Sequence, residues 1–171
     1  LAQLSSVSFD ASVFELWGAL LNGACLVGIS RGMLLTPEFL AAEIKRTGIN
    51  VMFVTTALLN AFASNQPRVF AGLKYLLFGG ESCDPVQVHR VACEHRPRHL
   101  LHLYGPTENT VFSTCYEIED VPEDALTIPV GKSISGSTSY ILDEQLQPVP
   151  VGVTGEIYVG GDGVALGYLN D

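Results

Sequence analysis

Basic residues are scarce. Nine Lys and Arg stand against eighteen Asp and Glu, a formal net charge of −9. Such a surface repels phosphate backbones and anionic lipid, which argues against nucleic-acid and membrane-surface partners. Long apolar runs are also missing. None reaches the roughly 18 residues that a membrane-spanning helix needs, and no charged region of a secretory leader opens the chain. Cysteines number only four, Cys25, Cys83, Cys93 and Cys115, with no C-x-x-C pair among them. That excludes a disulfide framework and leads us to expect reduced thiols in a cytoplasmic protein. Charged residues make up 16% against 47% hydrophobic ones, too few for a disordered chain. The expectation is that neither a Gly-x-Ser-x-Gly nor a Ser/His/Asp set is present, so a hydrolase reading lacks a nucleophile. There is no initiator Met, and the expectation is a piece of something longer.

What is present begins with a pattern of short apolar runs and helical stretches. Residues 9–24 place Val13, Leu16, Trp17, Leu20 and Leu21 at i, i+3, i+4, i+7, i+8 spacing, which predicts a helix with those residues facing a core. Asp10 or Ser12 can cap its start. Residues 25–29 predict a short buried strand. Thr36-Pro37-Glu38 is an N-cap, a first-turn proline and a first-turn acid, and Gly48 closes that helix. Strands are predicted over residues 50–55, 73–78 and 100–104, with helices over residues 56–62 and from Asp84-Pro85 to about His95. Strands of four to six residues alternating with helices signal βαβ units. The fold class expected is therefore α/β, a doubly wound, mostly parallel sheet.

Beyond an acidic linker, residues 117–124, the texture changes. Short strands are predicted over residues 128–131, 139–142 and 156–159, separated by Gly, Pro and Ser. The division expected is a wound subdomain over residues 1–125 and the first strands of a small β-barrel subdomain over residues 126–171.

Two strand ends carry chemistry. The run His102-Leu103-Tyr104-Gly105-Pro106-Thr107-Glu108 stops a buried strand at Gly-Pro and delivers an aromatic ring, a hydroxyl and a carboxylate to the sheet's carboxyl edge, where ligands of open α/β sheets bind. That set suits a purine, a phosphate and a divalent cation. Gly79-Gly80-Glu81 ends a second strand, and its glycines leave room for a flat ligand to approach the backbone. Asp10, just before the first helix, is either its cap or a carboxylate at a pocket wall facing a substrate ammonium. The glycine-rich Gly155–Gly163 stretch lacks phosphate-loop spacing and reads as hairpin and bulge. His89, Cys93 and His95 lie close in sequence but lack a fourth metal ligand.

Taken together, Ser8-Phe9-Asp10-Ala11-Ser12, Leu76-Leu77-Phe78-Gly79-Gly80-Glu81, Leu103-Tyr104-Gly105-Pro106-Thr107-Glu108 and Gly155-Glu156-Ile157-Tyr158-Val159-Gly160-Gly161 resemble, in order and spacing, the motifs of nonribosomal peptide synthetase adenylation domains. These are members of the adenylate-forming superfamily. The resemblance covers the whole chain. It implies activation of an amino acid by ATP to an aminoacyl-adenylate, with Mg²⁺. Transfer to the phosphopantetheine thiol of a peptidyl carrier domain would follow. It implies Asp10 on the substrate ammonium, Tyr104 on adenine, His102 at the adenine edge where Asn is frequent, Thr107 on phosphate and Glu108 on Mg²⁺. Gly79, Gly80, Glu81 and Gly105 would line the nucleotide site.

The side-chain pocket it implies is Asp10, Ala11, Phe14, Phe53, Leu77, Gly79, Leu103, Val111 and Phe112. Beyond Asp10 none carries a charge or amide, so an aliphatic amino acid is expected, Leu or Ile ahead of Val. The family's phosphate loop, ribose-binding motif and catalytic Lys are expected outside these 171 residues, on the remaining adenylation subdomains. Leu166 stands where Arg is frequent. Two other readings remain at this point: a non-catalytic specificity subdomain, excised or chimeric, and an acyl-CoA synthetase relative. Asp10 argues against the latter.

Overall fold

The computed structural model describes residues 1–34 and 36–170. At its centre is a sheet in the order β3 (Val51–Thr55), β4 (Tyr75–Gly79), β5 (His99–Tyr104), β6 (Thr114–Glu117) and β7 (Lys132–Ser133). The first three are parallel, in register Met52 to Leu76 to Leu100. The last two run antiparallel along the edge. Continuous apolar runs make strands buried on both faces, and helices accordingly cover both. The class is the mixed α/β, parallel-rich sheet expected.

Helices α3 (Pro37–Thr47), α4 (Thr56–Asn65) and α5 (Pro85–Glu94) cover one face. Leu40, Leu59 and Val88 share a buried cluster there with Met52, Val54, Leu76, Phe78 and Leu100. Local sequence explains their ends. Pro37 occupies the first turn of α3, and Gly48 ends that helix at φ 70, a left-handed conformation that glycine adopts at no steric cost. The Thr55 hydroxyl caps α4 by accepting from Leu58 N at 3.3 Å. Asp84 caps α5 by accepting from Val86 N at 2.9 Å.

Helix α1 (Ala11–Leu20) lies on the other face and departs from expectation. It is shorter than residues 9–24, and it is turned the other way. Ser12, Glu15 and Ala19 are buried, whereas Val13, Trp17, Leu20 and Leu21 are exposed, Trp17 at 52%. Apolar spacing counts methylenes and ignores hydrogen bonds. Here the Glu15 carboxylate accepts from Ser5 N and Ser5 Oγ at 3.0 Å each, which compensates its burial and fixes the inward face.

Elsewhere the expected strand at residues 25–29 shrinks to β2 (Val27–Gly28), paired with β1 (Ala2–Gln3). The short helix α2 (Arg31–Leu34) follows it and had no periodic signal. Residues 128–131 are not a strand. The ladder forms one step later, at β7, because the His102 ring and Thr114 Oγ1 take the carbonyls of Pro129 and Val130. Strands β8 (Ser137–Leu142) and β9 (Glu156–Gly161) form their own antiparallel pair. No helix among the described residues is long and apolar enough to cross a membrane.

Candidate functional site

The alternation of a strand puts Phe53, Leu77 and Leu103 on the sheet face opposite the buried helices. They form a second apolar cluster against Ala11, Phe14 and Phe112. Phe112 is its hub, edge-on to Phe14 at 5.5 Å between ring centroids and tilted against Phe53 at 5.3 Å. Above this floor opens a cavity of about 680 Å³ whose walls include Asp10, Ala11, Phe53, Gly79, Leu103, Val111 and Phe112. The structure thus brings together the nine expected pocket residues, with Phe14 and Leu77 behind the wall. Gly79 has a second reason to be glycine: a Cβ there would lie 2.1 Å from the Leu103 carbonyl oxygen. Gly80 sits at φ +99 with open space around it, a conformation that other residues rarely adopt.

The rim is polar. Asp10 occupies the N-cap of α1, yet its side chain makes no capping bond. Its Oδ2 instead accepts from Thr107 Oγ1 at 2.6 Å, joining residues 97 apart in sequence. Thr107 opens a 3₁₀ turn, Thr107–Asn109, which ends at Thr110 and Val111 in left-handed conformations, φ 51 and φ 70. Two consecutive β-branched residues there store about 1–3 kcal/mol of strain each. The turn is held by Ser113 N donating to Tyr104 O at 2.8 Å and Asn109 Nδ2 donating to Ser113 Oγ at 2.7 Å. This strained turn, which aims Val111 into the cavity, carried no sequence signal.

Around the corner of Gly80 and Gly105 lies a second cavity of about 380 Å³, lined also by Glu81, Cys83, His102, Tyr104 and Ile128. His102 is buried and stacks on Phe78 at 4.9 Å. Its Nδ1 donates to the Pro129 carbonyl at 2.8 Å, which fixes the tautomer and leaves Nε2 as acceptor. Burial pushes the imidazole below its ordinary value of 6.5, the Pro129 bond opposing in part. The loop at residues 127–130, expected to contribute a strand, is instead a wall of this cavity.

Glu108 is exposed, and its Oε1 accepts from Tyr168 Oη at 3.0 Å. The chain after β9 is tied to the same turn: Ala165 N donates to Glu108 O at 2.8 Å, and Thr110 Oγ1 to Gly163 O at 2.6 Å. Among the described residues no three His, Cys, Asp or Glu converge as a metal cage. One accessible carboxylate suits Mg²⁺, which keeps most of its shell as water and substrate phosphate.

Other candidates disperse. His89 Nδ1 donates to Val121 O, and His95 Nε2 accepts from Arg68 Nε, so the two histidines serve different contacts. Gly28-Ile29-Ser30-Arg31-Gly32 has the Gly-x-Ser-x-Gly spacing of a nucleophile elbow, contrary to the expectation of no hydrolase candidate, and sits between β2 and α2. Among the described residues Ser30 has no histidine partner: His89 binds Val121, His95 Arg68, His99 Glu117 and His102 Pro129. The motif reading also missed Arg31, Ser5 and Thr55, which line the larger cavity. Each lies outside the motifs that carry the family resemblance and reaches the site only through the fold.

The sequence profile of AMP-binding enzymes matches residues 1–169. The chain belongs to the AMP-binding enzyme family. Its curated relatives include synthases of peptide antibiotics. Tyrocidine synthase 3 of Brevibacillus parabrevis is 45% identical over 98% of this chain, and bacitracin synthase 1 of Bacillus licheniformis 44% over 98%. The chain spans 3% of the length of each. Among solved AMP-binding structures, PA1221, a nonribosomal peptide synthetase protein containing adenylation and carrier domains, superposes with TM-score 0.93. It is 38% identical and covers 100% of this chain and 34% of its own. The N-terminal subdomain of Klebsiella oxytoca NpsA, in complex with 3-hydroxybenzoyl-AMSN, gives TM-score 0.87 at 27% identity, over 98% of this chain and 43% of its own.

Proposed function

We propose that this chain is the amino-acid-selecting part of an adenylation domain. The domain would make aminoacyl-AMP from ATP and an aliphatic amino acid, then pass it to a carrier domain's phosphopantetheine thiol. The observation that carries the reading is the 2.6 Å bond from Thr107 to Asp10. It joins a carboxylate and a hydroxyl from distant motifs at the mouth of an apolar cavity.

In this reading Asp10 holds the α-ammonium of the substrate, and Phe53, Leu103, Val111 and Phe112 surround its side chain. A polar side chain there would lose hydration without a partner, so leucine or isoleucine is favoured over valine. The second cavity takes adenine, with Tyr104 on the ring and His102 Nε2 accepting at the edge. The two sites share Gly80, Glu81, Leu103 and Gly105, which sets the substrate carboxylate beside the nucleotide phosphates. The carboxylate oxygen attacks the α-phosphorus and pyrophosphate leaves, so positioning supplies much of the rate. Thr107 Oγ1 donates to a phosphate oxygen once the ammonium takes over Asp10. Glu108 would hold Mg²⁺, which would neutralise phosphate charge when bound. The remaining phosphate and ribose contacts come from other adenylation subdomains. The division expected at residue 125 falls later in the chain, since β7 (Lys132–Ser133) still pairs with β6 in the central sheet, and the start of a β-barrel part would be the separate β8–β9 ladder. Four free cysteines fit a cytoplasmic enzyme.

The test is amino-acid-dependent ATP–pyrophosphate exchange by the adenylation domain that carries this segment, across twenty amino acids. Leucine and isoleucine should lead, with valine behind. A charged or strongly polar best substrate, or equal turnover of an acid lacking the α-amino group, would sink the reading.

A further inference from the structure

Glu15 is fully buried, 0% exposed, in the middle of α1, and the chemistry above does not use it. The short contacts of its carboxylate are to Ser5: Oε2 accepts from Ser5 N at 3.0 Å, and Oε1 accepts from Ser5 Oγ at 3.0 Å, with the Leu4 backbone and the Gln3 amide also favouring its charged form. Among the described residues no cation is paired with it, and burial pushes its pKa above the ordinary 4.5. Isolated buried carboxylates are costly, so a packing role alone would be better filled by an apolar residue.

The position of Glu15 says what it holds. Ser5 lines the larger cavity directly, beside Asp10 and Ala11. Residues 11, 14 and 15 fall on adjacent parts of one helical surface, and Asp10 is the N-cap of the same helix. Tethering Glu15 to Ser5 therefore sets the rotation of α1 about its axis. That rotation puts Ala11 and Phe14 against the cavity cluster and leaves Trp17 and Leu20 exposed. The apolar stripe by itself would favour the opposite rotation. We propose that Glu15 is a positioning residue of the amino-acid pocket: through Ser5 it fixes the orientation of α1, and with it Asp10, Ala11 and Phe14. The proposal rests on the amino-acid-activating reading given above.

The experiment compares Glu15→Gln and Ser5→Ala with the unaltered adenylation domain in pyrophosphate exchange, varying leucine, valine and ATP separately. Exchange by the unaltered domain tests the functional reading. The variant-to-parent ratios test Glu15. Glu15→Gln keeps the size but replaces one carboxylate oxygen by an NH2 group, so Ser5 Oγ must turn from donor to acceptor and the charge-assisted bonds to Ser5 are lost. It should raise KM for leucine about tenfold and narrow the leucine-to-valine preference, with KM for ATP unchanged within about twofold. Ser5→Ala should move the same two parameters less, because Ser5 N remains. If Glu15→Gln does not fold, Ser5→Ala decides alone. Unchanged leucine KM and preference, or an equal rise in both KM values, would overturn the proposal.

Discussion

The two faces of the central sheet are built from the same apolar runs and do opposite things. On one face Met52, Val54, Leu76, Phe78 and Leu100 are sealed under α3, α4 and α5. On the other Phe53, Leu77 and Leu103 meet α1, Phe112 and neighbours on their own sheet such as Val51, Leu101 and Cys115, and a cavity of about 680 Å³ remains. Neighbouring residues on one strand, such as Leu76 and Leu77, thus belong to a sealed core and to the floor behind a cavity. What separates them is the second layer. Helices α4 and α5 follow their strands directly and lie flat on one face. Only the short α1, held by a carboxylate, covers part of the other. An incompletely covered apolar face is what a ligand pocket requires.

Mutations on the two faces should separate stability from selectivity. The largest effect belongs to the sealed face. Leu76→Ala should cost about 2–5 kcal/mol of stability, read as a fall in the urea midpoint, with substrate preference retained. A changed preference would erase the contrast. Next is the rim of the open face: Asp10→Ala should raise the amino-acid KM by an amount worth about 2–3 kcal/mol while ATP binding persists, measured by exchange kinetics at varied leucine and varied ATP. Leu103→Ala should enlarge the cavity and move preference toward bulkier side chains by about 1–3 kcal/mol, checked by the phenylalanine-to-leucine ratio of kcat/KM. Equal loss for all substrates would make Leu103 part of the core instead.

The smallest effect sharpens the comparison at His102, which packs on Phe78 from the sealed face yet reaches the second cavity. Its pKa is lowered on folding, so below 6.5 the unfolded chain binds the extra proton more readily. Stability should therefore fall as pH drops below 6.5, and should be unaffected by this group above it. His102→Gln should flatten that acid limb in pH-dependent denaturation. An unaltered limb would show that the imidazole is not the group responsible.

Much of the site could be read before any coordinates. The order of Asp10, Gly79-Gly80 and Tyr104–Glu108 marks three positions at strand ends and a helix start, and apolar runs of strand length between helix caps imply a parallel sheet. Those inferences rest on local rules, because caps, turns and strand period act over a few residues. The rotation of α1 could not be read that way. Its periodicity pointed Trp17 inward, and only the bonds between Glu15 and Ser5, ten residues apart, reverse that. Nor could the left-handed pair Thr110 and Val111 be read, since β-branched residues have no local preference for it. The contact between Thr107 and Asp10 spans 97 residues. By itself the sequence singled out the residues proposed to carry the chemistry and determined the class of fold that presents them. Only the tertiary structure decided which of two equally apolar sheet faces stays open and which way Asp10 is aimed, because both depend on packing and buried hydrogen bonds between segments far apart in the chain.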